Sequence, residues 1–307
     1  MTIISIIIPL HNCENFIHRA LKSCQNQDFI NYEVIIIDDK SEDEGAKIAL
    51  EFVKKDRRFK LFSNATHLGT FASRNEGILR ANSPFLMFLD ADDYLCDGAL
   101  KRVFESLNLK ADVVLFDSFV HRVKTKQFYR FKQDRLFNKN EFLSFLAEQR
   151  HFCWSVWAKV FRKDLALKCF EFVDKNAFLC YGEDVLFCYI YFMLCEKIAV
   201  FKHSIYMYEF NVFGRYESKE ATILKQNYED KKKSLELIKS IAKNFPPNSL
   251  NEKLFMHLEK ETLDLKKRYL KLIKKEKIEL VKKRKNERNY FSRWKWNKAL
   301  SIYAYGI

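Results

Sequence analysis

Ile3-Ile4-Ser5-Ile6-Ile7-Ile8-Pro9-Leu10-His11-Asn12 opens the chain with an almost unbroken apolar run, closed by Pro9 and followed by two polar residues. A run of that length without polar alternation is the pattern of a strand buried on both faces. Phe16, Ile17, Ala20, Leu21 and Cys24 come next, at spacings that place them on one face of a helix. The same pair of signals then repeats, with strands at 33–37, 59–62 and 85–89 and helices at 46–53 and 72–79. This alternation predicts an α/β domain with a mainly parallel sheet and helices on both faces. Ligands of such sheets bind beyond the carboxyl ends of the strands. Those ends carry His11 and Asn12, Asp38 and Asp39, Asn64 and His67, and Asp90 to Asp93.

From residue 111 the pattern loosens into a strand at 113–116 and an aromatic stretch through Phe152, Trp154 and Trp157. Val185, Leu186, Tyr189, Ile190 and Met193 recur at helical spacing and predict a helix starting near Asp184. Beyond Thr222 the chain reads as helical and charged, and the boundary of a C-terminal region, 222–307, falls there. Leu258, Leu265 and Leu272 lie seven apart in it, the spacing of a homodimer seam.

The 307 residues are 48% hydrophobic with only 7 Gly and 4 Pro, which excludes disordered and linker-like classes. The formal charge of +14 is concentrated in the tail: residues 265–298 alone carry a net +12, leaving +2 elsewhere. No apolar run reaches the roughly 18 to 20 residues of a bilayer span, and the N-terminus lacks the basic region of a signal peptide. A cytoplasmic protein is expected. The eight cysteines show no paired ligand spacing and predict free thiols, mostly buried.

Four clusters carry candidate chemistry. Asp90, Asp92 and Asp93 crowd three carboxylates after an apolar strand, which calls for a cation or hydrogen-bond donors. Mg²⁺ or Mn²⁺ shared with substrate phosphates is one partner; the other reading is a solvated turn with Asp97 capping the next helix. Asp39 either accepts hydrogen bonds from a nucleoside or closes a turn with Ser41. Arg74 either reaches a nucleotide at the rim or forms an ordinary salt bridge. Gly182-Glu183-Asp184 permits an unusual backbone turn, and its acids either complement the following helix dipole or do chemistry.

Taken in order, Ser5 to Asn12, Asp38-Asp39-Lys40-Ser41, Gly69 to Gly77, Phe88 to Asp93 and Gly182-Glu183-Asp184 resemble the motifs of the family 2 inverting glycosyltransferases over the first two-thirds of the chain. The resemblance is to bacterial enzymes that extend lipooligosaccharide or capsule sugars, including galactosyl- and N-acetylhexosaminyltransferases. It implies the GT-A fold, with a catalytic domain over 1–221 divided into a nucleotide-sugar-binding half (1–110) and an acceptor-binding half (111–221). By similarity Pro9, His11, Asp39 and Arg74 surround the nucleoside, Asp90 meets the ribose or diphosphate, and Asp92 binds the metal, Mn²⁺ or Mg²⁺. Asp184 is the implied base beside Glu183. Trp154 and Trp157 resemble a stretch that meets the acceptor sugar, although core packing is an alternative for either. The family usually has Tyr where this chain has His11.

The implied reaction is transfer of a hexose or N-acetylhexosamine from a UDP-sugar to a glycan or glycolipid hydroxyl, one sugar per encounter. Lys and Arg interleaved with Tyr290, Phe291, Trp294 and Trp296 suit an anionic membrane surface, which places the protein peripherally on the inner face. Nucleic-acid binding through the tail is the rival without catalysis, and it leaves the rim acids unexplained. A sugar-nucleotide pyrophosphorylase would need a glycine-rich loop where His11-Asn12-Cys13-Glu14 stands. A dehydrogenase is excluded because no G-x-G-x-x-G follows any strand.

Overall fold

The isoleucines of the first strand divide between two cores. In the computed structural model β1 (Ile4–Leu10) sends Ile4, Ile6 and Ile8 into one apolar cluster and Ile7 into the other, as the period-two pleat requires. The structure describes residues 2–121, 125–128, 131–149, 154–210 and 220–304; side chains at 125–128, 249, 277 and 280–304 lie outside the description. After β1 come α1 (Glu14–Gln25), β2 (Tyr32–Asp38), α2 (Gly45–Lys55), β3 (Phe59–Ser63), α3 (Thr70–Arg80), β4 (Phe85–Phe88), β5 (Tyr94–Leu95) and α4 (Ala99–Ser106). Ile17, Ala20, Leu21 and Cys24 of α1 cover the first cluster together with α2 and α4, and Phe71 and Ile78 of α3 cover the second. Each fully buried Leu or Ile contributes about 1.5–3 kcal/mol.

The second half holds β6 (Val113–His121), β7 (Thr125–Phe128), β8 (Arg135–Asn138), α5 (Lys139–Glu148), β9 (Lys159–Arg162), α6 (Lys163–Lys168), α7 (Glu183–Leu194) and β10 (Lys197–Glu209). The sheet order is β3-β2-β1-β4-β9-β6-β10-β5, with β7 added to β6 and β8 to β10. From β3 to β4 all pairs are parallel, and Ile7 lies between Ile35 and Phe88. At β9 the direction reverses: it runs antiparallel to both β4 and β6, while β6 and β10 are parallel. The α/β sheet is thus parallel over the half whose alternation was readable and mixed beyond it.

Leu10, Asp38 and Ser63 are register partners, so the ends of β1, β2 and β3 form one rim. α8 (Ala221–Ala242) and the first turns of α9 (Ser249–Ala304) close the opposite side of the second core through Leu235, Ile238, Ile241, Leu250, Leu254 and Leu258. Leu258 and Leu265 are only 2% and 6% exposed within this one chain, so the heptad that predicted a seam with a second copy is largely covered by the chain's own helices. No described helix is long and apolar enough to cross a membrane. Cys13, Cys24, Cys96, Cys169, Cys180, Cys188 and Cys195 are free thiols; Cys153 lies outside the described residues.

Candidate active site

Gly77 allows α3 to lie directly on β1, because a Cβ there would stand 2.3 Å from Ile7 Cγ2. That close approach seats Arg74, one turn into α3, in the interior at the rim. Its guanidinium is shared by three carboxylates from two elements. Nη2 donates to Asp90 Oδ1 at 2.7 Å, and Nη1 donates to Glu183 Oε1 at 3.2 Å and to Asp184 Oδ1. Burial alone would lower the Arg74 pKa, but the charges of Asp184, Asp90 and Glu183 outweigh it and raise it. The salt bridge expected as the ordinary alternative exists, then, but it is buried and it joins the rim to the start of α7.

Glu183 and Asp184 occupy the first turn of α7 after Gly182, whose φ of +81° only glycine adopts without strain. No side chain caps this helix, and the Val156 N–H donates to Asp184 Oδ2 at 3.2 Å. Glu183 is pushed up to about 7, first by burial and then by the charge of Asp184, with Arg74 opposing. Asp184 is also raised, by burial first, against Arg74 and with Asp90 adding. Asp184 is the more open of the two, with 22% of its side chain exposed against 10% for Glu183. Three carboxylates facing one guanidinium leave an ionised cluster short of positive charge.

The turn after β4 splits its three acids. Asp90 and Asp92 line a cleft of roughly 480 Å³, whereas Asp93 is buried away from it on Tyr206 and the backbone of Glu209. Burial first, and then the charges of Asp90 and Asp92, hold Asp93 well above the usual carboxylate range. The capping alternative fails here, since α4 starts from Gly98 and has no side-chain cap.

Asp39 is buried and bracketed by its neighbours. Its Oδ1 accepts from Asn64 Nδ2 and the Leu68 N–H, both at 2.8 Å. Its Oδ2 accepts from the Gly69 N–H at 2.8 Å and lies 2.9 Å from His67 Nδ1, whose hydrogen bond is with the Asp39 carbonyl oxygen at 3.3 Å. The nearby turn is closed by Asp38, which accepts from the Ser41 N–H at 3.1 Å, and not by Asp39. His11 Nδ1 lies 2.9 Å from the Asp39 carbonyl oxygen, which only accepts, so that nitrogen carries hydrogen; the ring stacks on His67 with centroids 4.2 Å apart.

One cleft thus gathers Pro9, His11, Asp39, Arg74, Asp90, Asp92 and Glu183. Trp154 and Trp157 are not on its wall. Trp157 is 9% exposed and stacks on Tyr206 and Tyr208 at 4.9 and 5.6 Å, a packing role. Trp154 lines a separate groove with Leu146, Leu250, Leu254 and His257. Cys13, Phe16, Ser73 and Cys180 also line the cleft although nothing in their sequence setting marks them as site residues, and His67 stood out only as a polar rim residue. The Val156 contact to Asp184 spans 28 residues, and no local motif signals it.

Comparison with known proteins gives the same picture. An uncharacterized glycosyltransferase of Haemophilus influenzae is 39% identical over 102 residues, which cover 33% of this chain and 41% of that protein. The GalNAc(5)-diNAcBac-PP-undecaprenol beta-1,3-glucosyltransferase of Campylobacter jejuni is 37% identical over 106 residues, 34% of each chain. The chain therefore matches well under two-thirds of these relatives' length. Residues 1–349 of S. aureus TarS, solved in complex with UDP, superpose with a TM-score of 0.63 at 23% identity, covering 82% of this chain and 68% of that one, and show the same fold. The sequence profile of Glycosyl transferase family 2 matches residues 5–167, more than half of the chain. The chain belongs to glycosyltransferase family 2.

Proposed function

We propose that the protein transfers a hexose or N-acetylhexosamine from a UDP-sugar to a hydroxyl of a lipid-linked glycan, with inversion and one sugar per encounter. The observation that carries this reading is Arg74, which ties Asp90 in the cleft to Glu183 and Asp184 at the head of α7. Donor and base sites thereby share one buried ion cluster. TarS, of the same fold, was solved with UDP, and the C. jejuni relative is named for an undecaprenol-linked acceptor; both favour a UDP donor and a lipid-linked acceptor.

In this reading Asp184 takes the proton of the acceptor hydroxyl. The hydroxyl oxygen forms a bond to the anomeric carbon while the bond from that carbon to the phosphate oxygen breaks on the opposite face, and UDP leaves with the electron pair. Arg74 and the Val156 N–H keep Asp184 oriented. Among the described residues no three His, Cys, Asp or Glu side chains converge as a closed metal cage. Asp90 and Asp92 nonetheless share the cleft wall, the sparse carboxylate set that suits a divalent ion carried with a diphosphate. Mn²⁺ or Mg²⁺ held by Asp92 would supply Lewis-acid neutralisation of the departing diphosphate.

The three hydrogen bonds accepted by the Asp39 carboxylate support a structural share in the nucleoside pocket, shaping the loop at 64–69, with His11 and His67 offering ring faces to a base. On α9, Leu263, Leu270 and Ile278 are exposed among Lys266, Lys267, Lys271, Lys274 and Lys275, which favours peripheral attachment to the anionic inner face of the cytoplasmic membrane. Tyr290, Phe291, Trp294 and Trp296 lie outside the described side chains. The test is UDP release from a panel of UDP-sugars with Mn²⁺, alongside UDP, GDP and dTDP binding. Turnover of one UDP-sugar supports the reading, and absence of turnover and binding across all three nucleotides overturns it.

A further inference from the structure

The acidic turn is gripped from behind by residues that do not line the donor cleft. Tyr206 of β10 is fully buried; its hydroxyl donates to Asp93 Oδ2 at 2.6 Å and accepts the Asp90 N–H at 3.2 Å. Three residues before the strand's end, its ring is fixed against Trp157 with planes 10° apart. The Glu209 N–H donates to Asp93 Oδ1 at 2.8 Å. From α1, Arg19 donates through Nη2 to the Asp92 carbonyl at 2.8 Å and through Nη1 to Glu209 Oε2 at 2.8 Å, with its guanidinium 4.5 Å from the Tyr94 ring centroid. The remaining Glu209 oxygen faces His121 Nδ1 at 2.7 Å.

Main-chain atoms of both Asp90 and Asp92 are therefore fixed by side chains from other elements, while the carboxylates of the same two residues face the cleft. We infer that Tyr206 and Arg19 are positioning residues: they set where the Asp90 and Asp92 carboxylates stand and so set how well the site takes a divalent ion with a nucleoside diphosphate. This rests on the donor reading above. Groups that orient metal-binding carboxylates act at a distance from the ion, and their loss typically weakens metal affinity by about 10- to 100-fold.

The experiment titrates UDP into the full chain by calorimetry at a series of Mn²⁺ concentrations, for wild type, Tyr206→Phe and Arg19→Gln, with a ligand-free melt for each. Tyr206→Phe keeps the ring stack and removes the hydroxyl. The Mn²⁺ concentration giving half the maximal UDP affinity should rise about 10-fold in that variant and by less in Arg19→Gln, while UDP affinity without metal is unchanged. Wild-type Mn²⁺ dependence in both variants overturns the inference, as does a loss of UDP affinity that is equal with and without metal. Should Tyr206→Phe fail to fold, Arg19→Gln decides alone, because its side chain is partly exposed. Wild-type protein that binds no UDP at any Mn²⁺ concentration overturns the donor reading and this inference together; metal-dependent wild-type binding with unaltered variants overturns this inference alone.

Discussion

Asp39 lines the candidate cleft and Asp184 adjoins it through Arg74, and their carboxylates are held in opposite ways. Asp39 is surrounded by donors from one short loop, two of them backbone N–H groups: Oδ1 accepts two hydrogen bonds and Oδ2 one, with His67 Nδ1 2.9 Å from Oδ2. Asp184 shares the Arg74 guanidinium with Asp90 and Glu183, accepts from the Val156 N–H and also feels the charge of Lys159. Local dipoles satisfy the first at no cost in net charge. Burial outweighs the opposite charge around the second, and its pKa is raised. In the proposed reading the carboxylate that shapes the pocket is closed by local donors, and the one that takes the proton is held by charged side chains.

The most severe break in this contrast is Asp184→Asn, which leaves the packing and removes the base. Turnover should fall by roughly 10²- to 10⁴-fold, read as UDP release with acceptor present, while calorimetric UDP affinity stays near wild type. Retention of most of the rate would transfer the base role to another group. Arg74→Met should come next, since removing one partner from a buried ion cluster costs about 3–5 kcal/mol; urea unfolding measures it, and a loss below about 1 kcal/mol would mean that the cluster behaves as an exposed one.

Asp39→Asn tests the other side. It turns an amide nitrogen toward donors that need an acceptor, and an unsatisfied buried group costs about 1–3 kcal/mol. The loss in Arg74→Met should grow with pH as the carboxylates left behind ionise. The smallest effect belongs to Glu183→Gln. The Glu183 pKa is raised from 4.5 to about 7 on folding, so its contribution to stability is fully present below about pH 4.5 and is lost as pH rises through 7. The variant should therefore gain on wild type as pH climbs from 5 to 8; parallel stability curves would show that the proton uptake lies elsewhere.

The parallel half was legible because strands buried on both faces are written as continuous apolar runs, so β1 to β4 and α1 to α3 could be placed from spacing alone. β10 was not: its 13 residues are interrupted by Lys202 and His203 and by a register slip between Phe201 and Tyr206, which breaks every simple period. β5 has two residues and is below the length at which a period exists. The rim acids were visible as types, but their partners were not. That Asp93 turns inward to Tyr206, and that Trp157 stacks on Tyr206 and Tyr208 instead of facing the cleft, depend on β10, whose place in the sheet no local motif encodes. Motifs named the site; tertiary pairing assigned the work within it.

Arg74 meets Asp90 across 16 residues but Glu183 and Asp184 across 109 and 110. During synthesis the rim is therefore complete long before α7 exists, and an emerging chain holds Arg74 with one of its three acidic partners. The carboxylates of α7 are made later, after their counter-charge. In the proposed reading, chain order thus withholds the proton acceptor until strands β1 to β4, which carry the donor side of the cleft, have been synthesised.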